Sequence, residues 1–342
     1  MIRVILKLLL RATLAVVLLG GILAALVWYQ YQEFLVRPLH IPEQGMTLTI
    51  PQGMSLRGLA ARLEKDGLLE DARLLRLYGR LHHEATRIKA GEYHLPAGLT
   101  PVALLDLLVA GKTISHSITL VEGWTFRQMM QAIHDHDRLR HELKGLTDEQ
   151  IMARLGHEGE HPEGRFFPDT YQFPRGFSDL DLLRRAYAAM ERELAAAWKE
   201  RDGKLPLETP YEMLILASIV EKETGKAEER DRIAGVFIRR LRKGMKLQTD
   251  PTVIYGMGDS YKGNIRRKDL RKATPYNTYV IAGLPPTPIC MPGREALLAV
   301  AHPADEKALY FVARGDGSHQ FSATLKQHNA AVRKYQLKKG KK

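Results

Sequence analysis

The stretch TPYEMLILASIVEKETG, residues 209–225, decides how this part of the chain folds. Thr209 is a favourable N-cap, and Pro210 suits the first helical position because its missing N–H would be unpaired there. Glu212 completes a T-x-x-E capping box, and Gly225 can end the helix in the left-handed conformation. Because the residues between are almost all apolar, the pattern predicts a helix that is buried over most of its surface.

Glu221 follows directly on this apolar run. Residues 213–220 are apolar except for one serine. With 3.6 residues per turn, Glu221 shares a face with Leu214 and Ala217, whereas Glu223 points elsewhere. A carboxylate on an apolar face loses hydration, which raises its pKa, and a general acid near neutral pH needs a raised pKa. Glu221 is therefore a candidate catalytic acid.

A structural interpretation of Glu221 is open as well, because structural ion pairs also perturb carboxylates. In that interpretation Glu221 only ends a core helix and forms a salt bridge with a nearby basic side chain. The available basic residues are Lys222, Lys226 and Arg230.

The N-terminus predicts a membrane anchor. Residues 12–32 carry no charge, and as a helix they are long enough to cross a hydrocarbon core of about 30 Å. The basic residues of segment 1–11 should keep that segment in the cytoplasm and place the remainder on the outer, periplasmic face of the inner membrane. A cleaved signal peptide is the alternative, but the apolar run is long and no clear small-x-small cleavage site follows it.

Composition limits the classes of protein to which the chain can belong. The chain has 342 residues, a formal net charge of +12 and one cysteine, Cys290, so it forms no internal disulfide. A nearly thiol-free chain fits an exported protein. The basic residues are scattered and not interleaved with aromatics, which argues against nucleic acid and favours anionic lipid or an acidic polymer as the partner. The basic tail, residues 338–342, should be solvated.

The coarse pattern predicts an α+β protein. After a linker at 33–46, residues 47–112 read as a small module in which a strand and two helices precede a second strand, with a further helix at its end. Ser55, Asp71 and Thr100 are the expected helix caps. Residues 113–342 read as a larger mixed α/β domain whose Gly-, Pro- and Tyr-rich loops are typical of a ligand groove.

Five strings of this sequence resemble one family, the membrane-anchored endolytic murein transglycosylases of the YceG-like group. They are ASIVEKET (217–224), LQTDPTVIYGMG (247–258), YNTY (276–279), GLPP (283–286) and FFPDTY (166–171). The resemblance implies that 47–112 is a LysM-like βααβ module and that 113–342 is the catalytic domain. It also implies a bacterial cell-wall lyase that cuts peptidoglycan strands near the outer face of the inner membrane.

The activity implied by the resemblance is non-hydrolytic cleavage of the bond between N-acetylmuramic acid and N-acetylglucosamine, which leaves a 1,6-anhydro end. The family's catalytic glutamate maps to Glu221. A hydrolase generally needs two carboxylates, whereas a lytic enzyme can use one, because the C6 hydroxyl of the substrate replaces water. Termination of strand elongation beside peptidoglycan synthases, the polymerases and transpeptidases, is the implied role.

The predicted groove residues can hydrogen-bond sugar hydroxyls and N-acetyl groups. They are Gln248, Asp250, Tyr255, Asn277 and Thr278. Asp250 has an alternative as an Asx turn or helix cap. Tyr276 and Tyr279 can be core or ligand, and Glu163 can support the site or be exposed.

Two other functions remain possible on the sequence. One is a hydrolytic muramidase in which Asp250 or Glu223 is the second carboxylate, and the other is a non-enzymatic scaffold that binds glycan through residues 47–112. No cofactor motif occurs, and the histidines lack the H-E-x-x-H spacing of a zinc site, so neither cofactor nor metal is expected.

Overall fold

The computed structural model describes residues 2–83, 86–203 and 205–337. The basic tail predicted to be solvated lies outside these residues. The chain divides into two compact units, one comprising the residues up to 116 together with 173–176, and the other comprising 117–172 and the residues from 177 onward. Helices and strands both occur, as predicted, and the strands within the described residues form three two-stranded sheets.

The first unit begins with one long helix. The elements of this unit are α1 (Ile2–Val36), β1 (Met46–Ile50), α2 (Leu56–Lys65), α3 (Ala72–Leu81), β2 (Gly91–Leu95) and α4 (Pro101–Ala110). Among the described residues, Thr13–Val36 is the one helical segment long and apolar enough to cross a membrane. The helix continues through residues 33–36, which the sequence suggested were linker, because Phe34 is buried in the core of the module that follows.

That module has the predicted βααβ order. β1 and β2 pair antiparallel, with Leu48 opposite Tyr93, and both side chains are buried. The predicted caps are confirmed: Ser55, Asp71 and Thr100 each accept a hydrogen bond from a backbone N–H in the first turn of the helix that follows. These caps satisfy donors that would otherwise be unpaired at the helix starts.

Helices dominate the second unit. Its helices are α5 (Phe126–His134), α6 (Asp148–Leu155), α7 (Asp179–Glu200), α8 (Pro210–Glu223), α9 (Arg230–Arg242), α10 (Asp250–Met257), α11 (Arg294–Ala301) and α12 (Leu325–Val332). β5 (Tyr310–Ala313) and β6 (His319–Ser322) form an antiparallel hairpin. β3 (Ser115–Thr119) pairs with β4 (Thr170–Pro174).

α8 is the centre of this unit. Residues 213–220 are all buried, as the sequence predicted, and α8 packs against α7, α9 and α11. The Oγ1 atom of Thr209 accepts a hydrogen bond from the N–H of Glu212 at 3.2 Å. The predicted capping box is only half formed, because the carboxylate of Glu212 accepts instead from the N–H of Glu208 at 2.6 Å.

The predicted left-handed stop at Gly225 is wrong. Thr224 follows the last helical residue with extended backbone angles, φ −148° and ψ 138°, and Gly225 is not among the glycines with positive φ. The Oγ1 atom of Thr224 accepts a hydrogen bond from the N–H of Lys226 at 3.0 Å. Thr224 therefore turns the chain out of the helix, and no left-handed residue is needed.

A candidate catalytic cleft at the end of the buried helix

The last turn of α8 carries two carboxyl groups, on Glu221 and Glu223. Two residues correspond to about 200° of rotation around a helix axis, so the two side chains leave α8 on nearly opposite sides. Their surroundings differ accordingly.

Glu223 lines an open cleft with a volume of about 480 Å³. The walls of this cleft are the end of α8, the start of α10, the β5–β6 hairpin and α12. The polar side chains that line it include Glu223, Arg240, Gln248, Thr249, Asp250, Tyr279 and His319. The aromatic residues Tyr310 and Phe311 also line the cleft. This combination of carboxylates, an amide and aromatic surfaces suits a polar ligand with apolar faces.

The carboxyl group of Glu223 has the protonation behaviour of a general acid. Burial raises its pKa to about 7, and the nearby charge of Asp250 acts in the same direction. A hydrogen bond donated by Oγ1 of Thr249 and the charges of His319 and Arg240 lower it in part. A group with a pKa near 7 is present in both forms at neutral pH, so it can donate a proton and later accept one.

The segment 247–250 approaches Glu223 in an unusual backbone conformation. Gln248 has a φ of +50°, in the left-handed region that non-glycine residues rarely adopt, and its side chain is exposed. Its N–H donates to the carbonyl oxygen of Thr278 at 3.1 Å, which holds the turn. Such strained residues cluster at functional sites. Asp250 begins α10, and its Oδ1 atom accepts a hydrogen bond from the hydroxyl of Tyr279 at 2.7 Å.

Asn277 and Thr278 lie inside the protein, with exposed fractions of 1% and 0%. The Nδ2 atom of Asn277 donates to the carbonyl oxygens of Asp269 and Lys272, and its Oδ1 atom accepts from the N–H of Tyr279. The hydroxyl of Thr278 accepts from the N–H of Thr249 at 3.0 Å. The polar atoms of both side chains are therefore used to hold the loops that carry Thr249 and Tyr279.

Tyr255 does not line the cleft beside Glu223. Its hydroxyl donates to the Oε2 atom of Glu163 at 3.0 Å, and its ring packs edge-on against Tyr276. Glu163 is 3% exposed, and its other carboxyl oxygen accepts from the N–H of Phe126 at 2.9 Å. Burial raises the pKa of Glu163 to about 7. Both carboxyl oxygens of Glu163 accept hydrogen bonds, so this buried residue links its own segment to those of Phe126 and Tyr255. The alternative in which Glu163 is exposed is therefore wrong.

Glu221 lies beside the start of α11. Its Oε2 atom accepts a hydrogen bond from the N–H of Gly293 at 3.0 Å, and Gly293 is the N-cap of that helix. Burial raises the pKa of Glu221, and the nearby charge of Glu122 adds to this, while Arg230 and Lys222 oppose it. Within the described residues no basic side chain forms an ion pair with Glu221. The carboxyl group of Glu221 therefore lies at a helix N-terminus, where an ionised carboxylate is stabilised.

The sequence did not single out Glu223 as the acid, although it named Glu223 as a possible second carboxylate. Periodicity offered no signal for it, because the residues on the face of Glu223, Leu216, Ile219 and Val220, are no less apolar than those on the face of Glu221. In the residues that the structure describes, no group of three or more His, Cys, Asp or Glu residues could hold a metal ion.

Comparisons with known proteins show which family the chain belongs to. Residues 48–334 match the model of the YceG-like family. The chain is 32% identical over 332 residues to the endolytic murein transglycosylase of Bacillus subtilis (strain 168), covering 92% of this chain and 91% of the relative. It is 29% identical over 331 residues to the endolytic murein transglycosylase of Streptococcus pneumoniae (strain D39), of which it spans 59%.

A solved structure agrees with this assignment. The crystal structure of a YceG-like protein from Listeria monocytogenes superposes with a TM-score of 0.53 at 29% identity, covering 84% of this chain and 99% of that one. The resemblance predicted from the five sequence motifs is confirmed, and the chain belongs to the YceG-like family.

Proposed function

We propose that the cleft beside Glu223 is the site at which this chain cuts murein strands. The chain is an endolytic murein transglycosylase, an enzyme that lyses peptidoglycan. One observation carries the assignment of the site: of the two carboxyl groups at the end of α8, that of Glu223 lines an open cleft and has a pKa of about 7. Glu221 is the alternative acid, since burial raises its pKa too.

The proposed reaction uses one carboxyl group twice. Protonated Glu223 donates its proton to the glycosidic oxygen between N-acetylmuramic acid and N-acetylglucosamine, and the bond from C1 to that oxygen breaks. The C6 hydroxyl of the same muramic acid attacks C1, and its proton passes to the Glu223 carboxylate. Glu223 is thereby protonated again, no water is consumed, and the new end is a 1,6-anhydro sugar. General acid–base assistance of this kind contributes about 10² to 10⁴ in rate.

The remaining cleft residues divide into two groups. Gln248 and Asp250 are exposed in the cleft and are the proposed sugar contacts, with the Asp250 carboxylate also able to stabilise positive charge at C1. Asn277 and Thr278 contribute through the loops that their side-chain hydrogen bonds hold in place. Tyr255 contributes through Glu163 and Tyr276.

A hydrolytic mechanism is the rival, because Asp250 places a second carboxylate in the same cleft. Mass spectrometry of products formed in ¹⁸O-labelled water separates the two. The lytic reaction predicts anhydro ends without ¹⁸O. Reducing ends that carry ¹⁸O would overturn the lytic mechanism in favour of a muramidase.

The activity should fall as the pH rises through neutrality. The acid step needs protonated Glu223, whose pKa is about 7 in the folded chain. We expect kcat/KM to be level below that pH and to fall about tenfold for each pH unit above it. The measurement is a pH–rate profile on isolated glycan strands. A profile that stays level to pH 9 would argue against Glu223 as the acid.

Thr249→Val should move this profile to higher pH. The hydroxyl of Thr249 donates a hydrogen bond to the Glu223 carboxylate, which stabilises the ionised form and lowers the pKa. Without that bond the descending limb of the kcat/KM profile should start at a higher pH than in the wild type. An unchanged profile in a folded Thr249→Val variant would show that this contact does not set the pKa of the acid.

Residues 1–112 suggest where the enzyme acts and which partners it meets. We propose that residues 12–32 anchor the chain in the inner membrane, with 1–11 in the cytoplasm, 33–46 connecting, and 113–342 acting as the catalytic domain on the outer face. Residues 47–112 are proposed as a LysM-like module that binds glycan, which their β1–α2–α3–β2 order supports. A membrane-anchored enzyme that cuts nascent strands would act beside peptidoglycan synthases and terminate strand elongation there.

A further inference from the structure

The first unit contains an apolar hollow of about 440 Å³ between α1 and α3. α1 contributes Gly20, Leu23, Ala24, Val27, Trp28 and Tyr31, and α3 contributes Leu77 and Leu81. The α1 residues all belong to the segment Thr13–Val36 that is long and apolar enough to cross a membrane. The two leucines come from the folded module, far outside that segment in sequence.

The position of α3 beside α1 is fixed by the module core. Phe34, near the end of α1, is buried in the same apolar cluster as Leu75 of α3. Just after α1, the N–H of Leu39 donates to the carbonyl oxygen of Leu99 at 2.8 Å, and the N–H of His40 donates to that of Leu68 at 3.1 Å. The module is thus joined to the end of α1 by core packing and by backbone hydrogen bonds.

The hollow is open and its walls are unusually exposed for apolar side chains. Leu77 is 43% exposed, Leu81 60%, Leu23 64% and Trp28 63%. In water such a contiguous apolar surface would be unfavourable. The α1 wall belongs to the proposed membrane span and would be surrounded by lipid. The same lipid would therefore contact the two α3 leucines.

The charge of α3 matches the same environment. Residues 72–81 contain three arginines, Arg73, Arg76 and Arg80, and no acidic residue. Arg80 is exposed and lies on the same side of the helix as Leu77, whereas the Arg73 guanidinium on that side is paired with the carboxylate of Asp71. A short helix with exposed leucines beside arginines is typical of segments that lie in the headgroup region of anionic lipid. The long side chain of Arg80 can reach the phosphates while the leucines remain among the acyl chains.

We infer that phospholipid acyl chains fill the hollow between α1 and α3, and that α3 binds the membrane surface through Leu77, Leu81 and Arg80. This rests on the proposed membrane anchor. Its consequence is that the βααβ module is held on the bilayer as a fixed unit, and does not hang from a flexible tether. Residues 47–112 would then present to glycan strands the surface that faces away from the lipid.

Spin labelling of the full-length chain in phosphatidylglycerol–phosphatidylcholine vesicles tests this inference. The single native thiol, Cys290, is fully buried, so introduced cysteines can be labelled selectively. Nitroxides at Leu77→Cys and Leu81→Cys should be more accessible to oxygen, which partitions into lipid, than to a water-soluble nickel complex. Ala61→Cys, on an exposed position of the neighbouring helix α2, is the matched aqueous control.

The outcomes are distinct. If the labels at 77 and 81 are more accessible to the nickel complex than to oxygen, as expected for the Ala61→Cys label, the lipid contact is overturned. A label at Leu19→Cys, within the span, tests the anchor separately. If the Leu19→Cys label is also accessible to the nickel complex, the membrane anchor itself fails. If it is protected while those at 77 and 81 are not, only the α3 contact fails.

Discussion

Glu223→Gln should lower kcat for strand cleavage by about 10² to 10⁴. Glutamine nearly preserves the shape of the side chain and can still accept the hydrogen bond from Thr249, but it cannot donate a proton to the glycosidic oxygen. The loss should fall on kcat with little change in KM, because the interaction that is removed forms only in the transition state. The measurement is steady-state kinetics on purified glycan strands.

The stability of this variant provides the control. Burial raises the pKa of Glu223 above that of an unfolded glutamate, so the folded chain holds this proton more tightly than the unfolded chain. The stability linked to this group is therefore fully present at acidic pH and is lost as the pH rises through about 7. At pH 8 the neutral glutamine removes a buried charge, so the Tm of Glu223→Gln should not fall. A variant with lowered Tm and lowered activity would instead indicate misfolding.

Gly164→Ala should destabilise the second unit, through two separate effects. Gly164 has a φ of +79°, a conformation that costs an L-residue about 1–2 kcal/mol. An added Cβ would also lie 2.5 Å from the Cβ of Pro288, which is buried. Overpacking at such a contact adds about 1–3 kcal/mol. The free energy of unfolding, measured by denaturant titration, should fall by the sum of the two.

Gly159→Ala is the matched control for the packing effect. Gly159 has a φ of +84°, but an added Cβ there would meet no atom within 4 Å. This variant should lose only the backbone contribution, so Gly164→Ala should be the less stable of the pair. Equal losses would show that the contact between Gly164 and Pro288 does not limit the packing of these loops.

The sequence predicted the local structure around α8 well, because the signals are local. A threonine cap, a proline at the first position and an apolar run each act within one or two turns of the helix. The same holds for the caps Ser55, Asp71 and Thr100 in the βααβ module. Two details differ from the prediction. The capping box is half formed, because the Glu212 carboxylate accepts from the N–H of Glu208. The helix ends without a left-handed Gly225, because the hydroxyl of Thr224 accepts from the N–H of Lys226.

The choice between Glu221 and Glu223 could not be made from the same signals. Periodicity places both Glu221 and Glu223 next to buried apolar residues of α8, so it does not distinguish their access to a ligand. Access depends on what covers each side of the helix. The cleft at Glu223 is built from residues 247–250, the β5–β6 hairpin and α12, which lie 24 to more than 100 residues further along the chain. Local periodicity contains no information on such distant packing.

The most direct test of this account compares Glu221→Gln and Glu223→Gln on the same glycan strands, with the yield of 1,6-anhydro ends measured by mass spectrometry. Glutamine at 221 can still accept the hydrogen bond from the N–H of Gly293, so that variant should form anhydro ends at close to the wild-type rate. Glu223→Gln should form almost none. Loss of anhydro ends in Glu221→Gln together with their retention in Glu223→Gln would contradict the account and assign the acid to Glu221.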